Sequence, residues 1–303
     1  MNINYEYYRI FYYVAEYKNL TQAAKVLHSS QPNISRTIKI LENEIGCNLL
    51  VRSNRGISLT PEGRKLYLRV REAVNQIQLA EDELADSAGL KTGCVTIGVS
   101  ETALRMLVLP VLRRFKEQYP KIRIRILNHL TNQAVESVKN GEADFAVVTA
   151  PQNLEKPLIS YPLIFFQDIL LGGPDYFQFQ GEVLTLKEVN HFPLVCLGEE
   201  TITYEFYETF YHQHGLLFKP ELQAATTDQI LPMIKSDLGI GYVPEIFAAE
   251  VLEKGEACRI FLKETIPERQ ICFVENQRRP LNAAARELKT LLISEKCAGA
   301  DSI

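Results

Sequence analysis

The chain has 303 residues, 46% of them hydrophobic and 23% charged, a balance typical of a globular protein that buries a core. Its net charge of −4 excludes a polybasic protein that binds nucleic acid over its whole surface, and its length allows a small and a large domain, or three lobes. The six cysteines are scattered without metal-ligand spacing, which favours neither a zinc site nor a disulfide framework.

The N-terminal residues contain no basic segment followed by an apolar run, so we expect no signal peptide. No apolar run reaches the length of a transmembrane helix. We therefore expect a cytoplasmic protein with no membrane partner, no metal and no tightly bound cofactor.

Positive charge is concentrated at the start of the chain. Residues 1–60 hold seven lysines and arginines against four aspartates and glutamates, a balance of +3. Tyr5–Tyr17 is predicted to be a helix whose aromatic stripe packs on the following helices, although such rings can also stack on bases. Arg9 lies off that stripe and is a candidate phosphate contact.

Residues 19–46 are predicted to form two helices separated by a tight turn. Ala23 and Ala24 in the first helix are small enough for another helix to approach closely. Ser30 is a suitable N-cap for the second helix, which Gly46 ends. Its buried stripe is formed by Ile34, Ile38, Leu41 and Ile45.

Away from that stripe, Gln31, Pro32, Ser35, Arg36 and Lys39 share a second face of the helix, which carries amide, hydroxyl and cationic groups without a carboxylate. Such a face suits the major groove of DNA, where glutamine pairs with adenine and arginine with guanine or a phosphate. For this helix alone, an ordinary solvated face is an equally good interpretation. The candidate DNA-contacting residues here are Gln31, Pro32, Asn33, Ser35, Arg36 and Lys39.

Two short apolar runs, Leu49–Arg52 and Ile57–Leu59, surround a turn and predict a hairpin. The hairpin would bring Arg52 and Arg55 near phosphates or into the minor groove. Two such helices followed by a basic hairpin form a winged helix-turn-helix, so residues 1–60 are predicted to be a DNA-binding domain.

At this point the chain resembles the LysR-type transcriptional regulators. The resemblance covers the full length and is specific, because many residues recur at fixed spacing. It is carried first by Ala23, Ala24, Leu27, Ser30, Gln31, Pro32, Ile34, Ser35, Ile38, Leu41, Glu42, Gly46, Leu49, Leu50, Arg52, Leu59, Thr60 and Gly63, and later by residues 141–148 and 239–244. One departure is Asp237, where the family often has glycine.

Residues 61–88 are predicted to be one long linker helix. Its apolar residues follow a heptad seam and need a partner, which is either the same chain or a second subunit. We favour pairing of subunits, because two-fold symmetry lets two reading helices address two DNA half-sites. The seam consists of Leu66, Val70, Ala73, Ile77, Ala80 and Leu84.

Residues 89–303 alternate strands and helices, which predicts α/β lobes with parallel sheets. The resemblance implies a two-lobed, Rossmann-like effector-binding domain of the periplasmic-binding-protein type. The first lobe is expected at about 92–161 and 266–295, and the second at about 162–265.

A small-molecule co-inducer is expected where loops of both lobes meet at the carboxyl ends of the strands. The candidate effector-binding residues are Ser100, Glu101, Thr102, Thr131, Asn132, Thr201, Thr226 and Thr227. Hydroxyls and helix N-termini favour a carboxylate or another small anion. Glu101, Glu199 and Glu200 in the same loops favour an amino-bearing or neutral ligand instead.

Three function classes follow from these patterns. The favoured one is a transcription regulator that binds two-fold-related promoter DNA as a dimer or tetramer and responds to a small effector, with recruitment of RNA polymerase as a downstream step. A solute-binding receptor would account for the two lobes but not for the first 60 residues. An enzyme on this fold is the third class, and the sequence contains neither a Gly-x-Ser-x-Gly motif nor a phosphate-binding glycine loop.

Overall fold

A computed structural model describes residues 3–53, 56–86, 93–149 and 154–298. Contacts within the chain divide it between Ser87 and Ala88 into two units. We call residues 1–87 the head and residues 88–303 the effector unit. Within the described ranges, no helix combines the length and apolar character needed to cross a membrane.

The head is a helix-turn-helix with a two-stranded wing and a long final helix. Its elements are α1 (Tyr5–Tyr17), α2 (Leu20–Val26), α3 (Gln31–Ile45), β1 (Leu50–Ser53), β2 (Gly56–Leu59) and α4 (Pro61–Asp86). The two wing strands pair antiparallel, which confirms the predicted hairpin.

Polar caps set the ends of the two central helices. The Asn19 side chain accepts hydrogen bonds from the backbone N–H groups of Thr21 and Gln22, at 2.9 and 3.1 Å, so Asn19 is the N-cap of α2. Ser30 caps α3 as predicted. Gly46 ends α3 with a φ of 85°, a left-handed conformation that favours glycine.

The first half of α4 belongs to the core of the head. Val70 is buried in that core, and Leu66 packs partly against it. The Tyr67 hydroxyl donates a 2.5 Å hydrogen bond to Glu16 of α1. Burial and then the Glu16 carboxylate raise the pKa of Tyr67, so its hydroxyl stays protonated and keeps donating.

The effector unit contains two lobes, each built around one sheet. The first lobe is formed by β3 (Cys94–Val99), α5 (Glu101–Ala103), a π-helical segment (Leu104–Val108), α6 (Leu109–Gln118), β4 (Arg123–Asn128), α7 (Thr131–Lys139), β5 (Phe145–Thr149) and β6 (Leu158–Phe166).

The second lobe follows directly. It contains β7 (Asp168–Gly172), a 3-10 segment (Pro174–Phe179), β8 (Val183–Leu184), α8 (Leu186–Val189), β9 (Leu194–Leu197), α9 (Ile202–Gln213), β10 (Leu222–Ala224), a 3-10 turn (Thr227–Gln229), α10 (Ile230–Lys235), β11 (Ile240–Pro244), α11 (Glu245–Glu253) and β12 (Cys258–Leu262). The chain then returns to the first lobe with β13 (Arg269–Asn276) and α12 (Ala283–Ala298).

The strand order is β4-β3-β5-β13-β6 in the first sheet and β10-β9-β11-β7-β12-β8 in the second. β3 pairs in parallel with both β4 and β5, as the strand–helix alternation predicts. The returning β13 pairs antiparallel with β5 and β6. The first sheet is therefore mixed, with its parallel part at the start of the lobe.

The crossover between the lobes differs from the sequence prediction. Lobe 2 was expected to begin at about residue 162, but β6 continues to Phe166 within the first sheet. Pro162 is tolerated there because β6 is an edge strand, and the pairing shifts register beside it. The change of lobe therefore falls at Gln167.

The departure from the family pattern at Asp237 has a physical explanation. Its φ is 56°, in the left-handed region that glycine adopts most easily and that aspartate tolerates. The Asp237 side chain also accepts a 2.9 Å hydrogen bond from the backbone N–H of Asp175. The carboxylate thus supplies a contact that glycine would lack.

Three cysteines of the effector unit lie inside its cores. Burial raises the pKa of the Cys196 thiol to about 12 and that of Cys272 to about 11, and it also raises the pKa of Cys258. A reactive or redox-sensing thiol requires the opposite shift, because the thiolate is the nucleophile. These three residues are therefore unreactive core thiols.

This burial predicts how the thiols respond to alkylation. At pH 8, iodoacetamide should label Cys196 and Cys272 at least about a hundredfold more slowly in the folded protein than in urea, because little thiolate forms. Peptide mass spectrometry over time measures both rates. Rapid labelling of either residue in the folded protein would contradict this account.

Candidate functional site

The predicted reading face lies on the outside of α3. Gln31, Pro32, Asn33, Arg36 and Lys39 are exposed, and Ser35 is half-buried. The opposite face supplies Ile34, Ile38 and Leu41 to the core of the head. The helix thus presents amide and cationic groups to solvent on a rigid support.

A carboxylate connects this helix to the wing. Glu42 Oε1 accepts hydrogen bonds from the backbone N–H groups of Leu49 and Leu50, at 2.8 and 3.1 Å. Gly63 then lets α4 approach the wing, because an added Cβ would lie 2.0 Å from the Leu49 carbonyl oxygen. Glu42 belongs to the family-like motif, but its spacing to Leu49 and Leu50 does not predict this contact.

The remaining predicted phosphate contacts differ in their surroundings. Arg9 forms a partly exposed ion pair with Glu6 at 3.0 Å, which is weak enough to exchange for a phosphate. Arg52 lies on β1 opposite Ile57, whereas Arg55 falls outside the described residues.

The predicted oligomerisation seam on α4 divides into two parts. Leu66 and Val70 pack in the core of their own head. This part of the seam is therefore covered by the same chain. Ala73 and Ile77 are exposed, Ile77 at 42%. Leu84 lies on the same helix within α4. Ala73 and Ile77 are thus the described seam residues that their own head leaves exposed.

A cavity of about 210 Å³ lies between the two lobes of the effector unit. It is smaller than the roughly 300–1,000 Å³ of drug-sized ligand sites, so it fits a small molecule. Its walls come from segments that follow strands β3, β4, β5, β9 and β10. They are formed by Ser100, Glu101, Thr102, Asn128, His129, Leu130, Thr131, Gln133, Thr149, Leu197, Thr201, Ile202, Thr203, Ala225, Thr226 and Thr227.

Seven of the eight predicted effector residues line this one cavity, and Asn132 does not. Asn132 is exposed on α7, where the side chain of the next residue, Gln133, contributes to the wall instead. Residues at the strand ends that the sequence analysis missed include Asn128, His129 and Thr149. Thr149 ends β5, so the same rule that selected Ser100 applies to it.

The hydroxyl groups of the cavity are engaged to different degrees. Thr201 is satisfied within the protein, because it donates to the Gly198 carbonyl at 2.8 Å and accepts from the Tyr204 N–H at 3.1 Å. Thr131 donates to the Thr149 carbonyl at 3.3 Å. Ser100 Oγ accepts a long 3.3 Å bond from the Thr149 N–H. Ser100 and Thr131 therefore keep bonding capacity for a ligand.

The three glutamates of these loops differ in whether they line the cavity. Glu101 lines the cavity and accepts a 2.7 Å hydrogen bond from the Asn128 amide. Glu199 and Glu200 are not part of its lining. Within the described residues, no lysine or arginine forms the wall. Potential donors to a ligand are thus hydroxyl, amide, imidazole and backbone groups, with α7 and α9 beginning at the wall.

The two lobes also touch away from the cavity. The guanidinium of Arg105, in the π-helical segment of the first lobe, lies 4.2 Å from the ring centroid of Phe247 on α11. This cation–π contact joins the lobes. The π-helical segment ends at Val108, two residues before Pro110 in the first turn of α6.

The described chain offers little for metal binding or acid–base chemistry. In the part of the chain that the structure describes, no group of three or more histidine, cysteine, aspartate or glutamate side chains could hold a metal ion. The cavity wall contains two titratable side chains, Glu101 and His129.

Two family models match the chain and together cover most of it. Residues 5–64 match the bacterial regulatory helix-turn-helix protein, lysR family, and residues 88–296 match the LysR substrate binding domain. The two matches correspond to the head and to the effector unit.

Individual relatives agree with this assignment. The HTH-type transcriptional regulator CysB of Burkholderia cenocepacia is 27% identical over 229 residues, which cover 75% of this chain and 73% of the relative. The HTH-type transcriptional regulator CzcR of Bacillus subtilis is 24% identical over 294 residues, covering 95% and 96% of the two chains.

Solved structures share the fold over nearly the whole length. A full-length OxyR variant from Pseudomonas aeruginosa superposes with a TM-score of 0.76 at 19% identity, covering 97% of this chain and 95% of the other. Full-length CbnR complexed with its target DNA gives a TM-score of 0.70 at 17% identity, covering 97% and 100%. With the matched head and effector unit, these findings show that the chain belongs to the LysR family and is a DNA-binding transcriptional regulator with an effector-binding domain.

Proposed function

We propose that the head binds promoter DNA with α3 in the major groove and the wing along the backbone. Gln31, Ser35 and Arg36 make the base or near-base contacts, and Lys39 contacts phosphates. The observation that carries this proposal is the outer face of α3, whose exposed amide and cationic groups stand on a buried apolar support. Pro32, Asn33, Arg9, Arg52 and Arg55 complete the proposed contact surface.

Replacing Arg36 tests the reading face. Arg36→Ala should cost about 1–3 kcal/mol of binding free energy and blur the preferred sequence, because a base contact is lost. Lys39→Ala should weaken all sequences alike and reduce the salt slope by about one. Fluorescence anisotropy with the chain's own promoter and with mutated sites measures both effects.

The control is Arg113→Ala, which removes an 85% exposed arginine on α6 of the effector unit. It should leave DNA affinity unchanged. If Arg36→Ala behaved like this control, the assigned reading face would be wrong.

We propose that two subunits pair through the α4 seam that begins at Ala73 and Ile77, so that two heads address a two-fold-related site. The support is the exposed apolar stripe that includes Ala73 and Ile77, continuous with the buried stripe of the same helix. Further association of the effector units to a tetramer is compatible with this arrangement.

A charge in the exposed stripe tests the pairing. Ile77→Lys should weaken dimerisation and tight binding to the full operator, because a lysine buried without a partner is costly. Gln76→Lys, at an exposed position beside the stripe, is the matched control. Analytical ultracentrifugation and footprinting measure the two properties. An Ile77→Lys protein that remains dimeric and protects both half-sites would exclude this pairing.

We propose that the cavity holds a small effector with acceptor groups, with a small acid as the leading class. The support is a wall of hydroxyl and amide groups together with two helix N-termini, while two of the three loop glutamates lie outside it. Ligand binding would favour one arrangement of the lobes, and thereby change DNA bending and the recruitment of RNA polymerase.

Two substitutions test the cavity. A thermal-shift panel of acetate, succinate and inorganic phosphate identifies an acid that raises Tm. Ser100→Ala with Thr131→Val should then abolish induction of a promoter–reporter by that acid, because ligand hydrogen bonds are lost. DNA binding without the acid should be preserved, as in the control Thr290→Val on α12. Normal induction in the double variant would reject the site.

We also propose that the protein acts in the cytoplasm, where promoter DNA lies, and as a regulator rather than an enzyme. The family match of the head supports both points. A solute-binding receptor would leave residues 5–64 without a function.

A further inference from the structure

Arg269 connects the two lobes at the point where the chain returns to the first sheet. Its backbone lies on β13, opposite Phe166 of β6. Its side chain is buried and reaches into the second lobe, where Nη1 donates to Asp168 Oδ2 at 2.8 Å and Nη2 donates to Thr203 Oγ1 at 2.8 Å. One guanidinium therefore binds both the first strand of the second lobe and the start of α9.

Thr203 lines the effector cavity, whereas Arg269 does not. A threonine hydroxyl has one proton and two lone pairs. Because Thr203 accepts a hydrogen bond from a cation, its own proton is left to donate elsewhere, and the accepted bond strengthens it as a donor. The cavity thus contains a neutral hydroxyl backed by a buried positive charge.

The surroundings of Arg269 keep this arrangement in place. The guanidinium carbon lies 5.0 Å from the ring centroid of Phe206 and 5.4 Å from that of Phe166. The Tyr207 hydroxyl donates to Asp168 at 2.5 Å, and burial followed by the Asp168 charge raises its pKa. Burial alone would lower the pKa of Arg269, but the Asp168 charge, the neighbouring Tyr207 and the hydrogen bond to Asp168 together raise it. Arg269 therefore stays charged and Tyr207 stays a donor.

We propose that Arg269 is a positioning residue for an anionic effector, acting through Thr203, whose hydroxyl it orients to donate to the ligand. This inference rests on the proposed effector cavity and adds to it a residue outside the wall that orients one of its donors. It also connects ligand binding to the arrangement of the two lobes, because the guanidinium that orients Thr203 is paired with Asp168 at the junction of the lobes.

The first test compares three variants of α9 by calorimetric titration of the full chain with acetate, succinate and inorganic phosphate. Thr203→Val should weaken the tightest of these anions by about tenfold or more, because a hydrogen bond to a charged group is lost. Thr203→Ser should restore affinity to within about threefold. Thr209→Val, an exposed threonine on the same helix, is the matched control.

A double-mutant cycle tests the role of Arg269. Arg269→Lys keeps a positive charge for Asp168 but lacks the fork that also reaches Thr203. It should lose anion affinity as Thr203→Val does. The double variant should lose little more affinity than either single variant. If Arg269→Lys does not fold, as judged by circular dichroism, the comparison of Thr203→Val with Thr203→Ser decides whether the Thr203 hydroxyl donates to the anion.

Three results would overturn the inference: equal anion affinity in Thr203→Val and Thr209→Val, additive losses in the cycle, or no binding of any of the anions to the unmodified protein. In the last case, retained operator binding in a gel-shift assay would show that the proposed DNA-binding function holds and that only the proposal of an anionic effector is wrong.

Discussion

The buried ion pair between Asp168 and Arg269 is the constraint on which the effector unit depends. Both side chains are almost completely buried, at 1% and 5% exposed. Removing charges from water is costly unless each finds a partner, and here Asp168 Oδ2 accepts from both Arg269 and Tyr207. Within the described chain, Asp168 Oδ1 has no such partner. The junction therefore tolerates few other arrangements of these side chains.

The proposed DNA-reading face and the cavity offer different kinds of interaction. The face exposes Arg36 and Lys39, and exposed cations attract a polyanion from a distance. The cavity has no lysine or arginine among its described lining residues, so its donors act over hydrogen-bond distances. Under the proposed function, long-range charge serves DNA and short-range hydrogen bonding serves a small molecule.

Local patterns predicted the head well. Caps such as Ser30, the stripe through Ile34 and Ile38, and the wing all follow from spacing within about forty residues, where sequence neighbours are also spatial neighbours. The candidate cavity followed from a fold rule, since residues after parallel strands meet at one edge. That rule placed Ser100 and Thr226 on one wall but could not decide between Asn132 and Gln133, because the direction of a side chain at a helix start depends on its rotation.

Contacts between distant residues were not predictable in the same way. Asp168 and Arg269 are 101 residues apart, and neither lies in a motif. The edge strand β6 was missed because Pro162 is typical of a loop, and only its position at the sheet edge makes it acceptable. The buried half of the α4 seam was assigned to a partner subunit because heptad spacing does not show which surface covers it.

The bond pattern of Glu42 has a mechanical consequence for DNA recognition. A single carboxylate oxygen accepts from the backbone at the start of the wing and so fixes the wing to α3. If α3 contacts the groove and the wing contacts the backbone as proposed, the distance between those contacts is set inside the protein. Operators that differ in groove width would then have to bend or twist to fit this distance, so the stiffness of base steps that no side chain touches would contribute to selectivity.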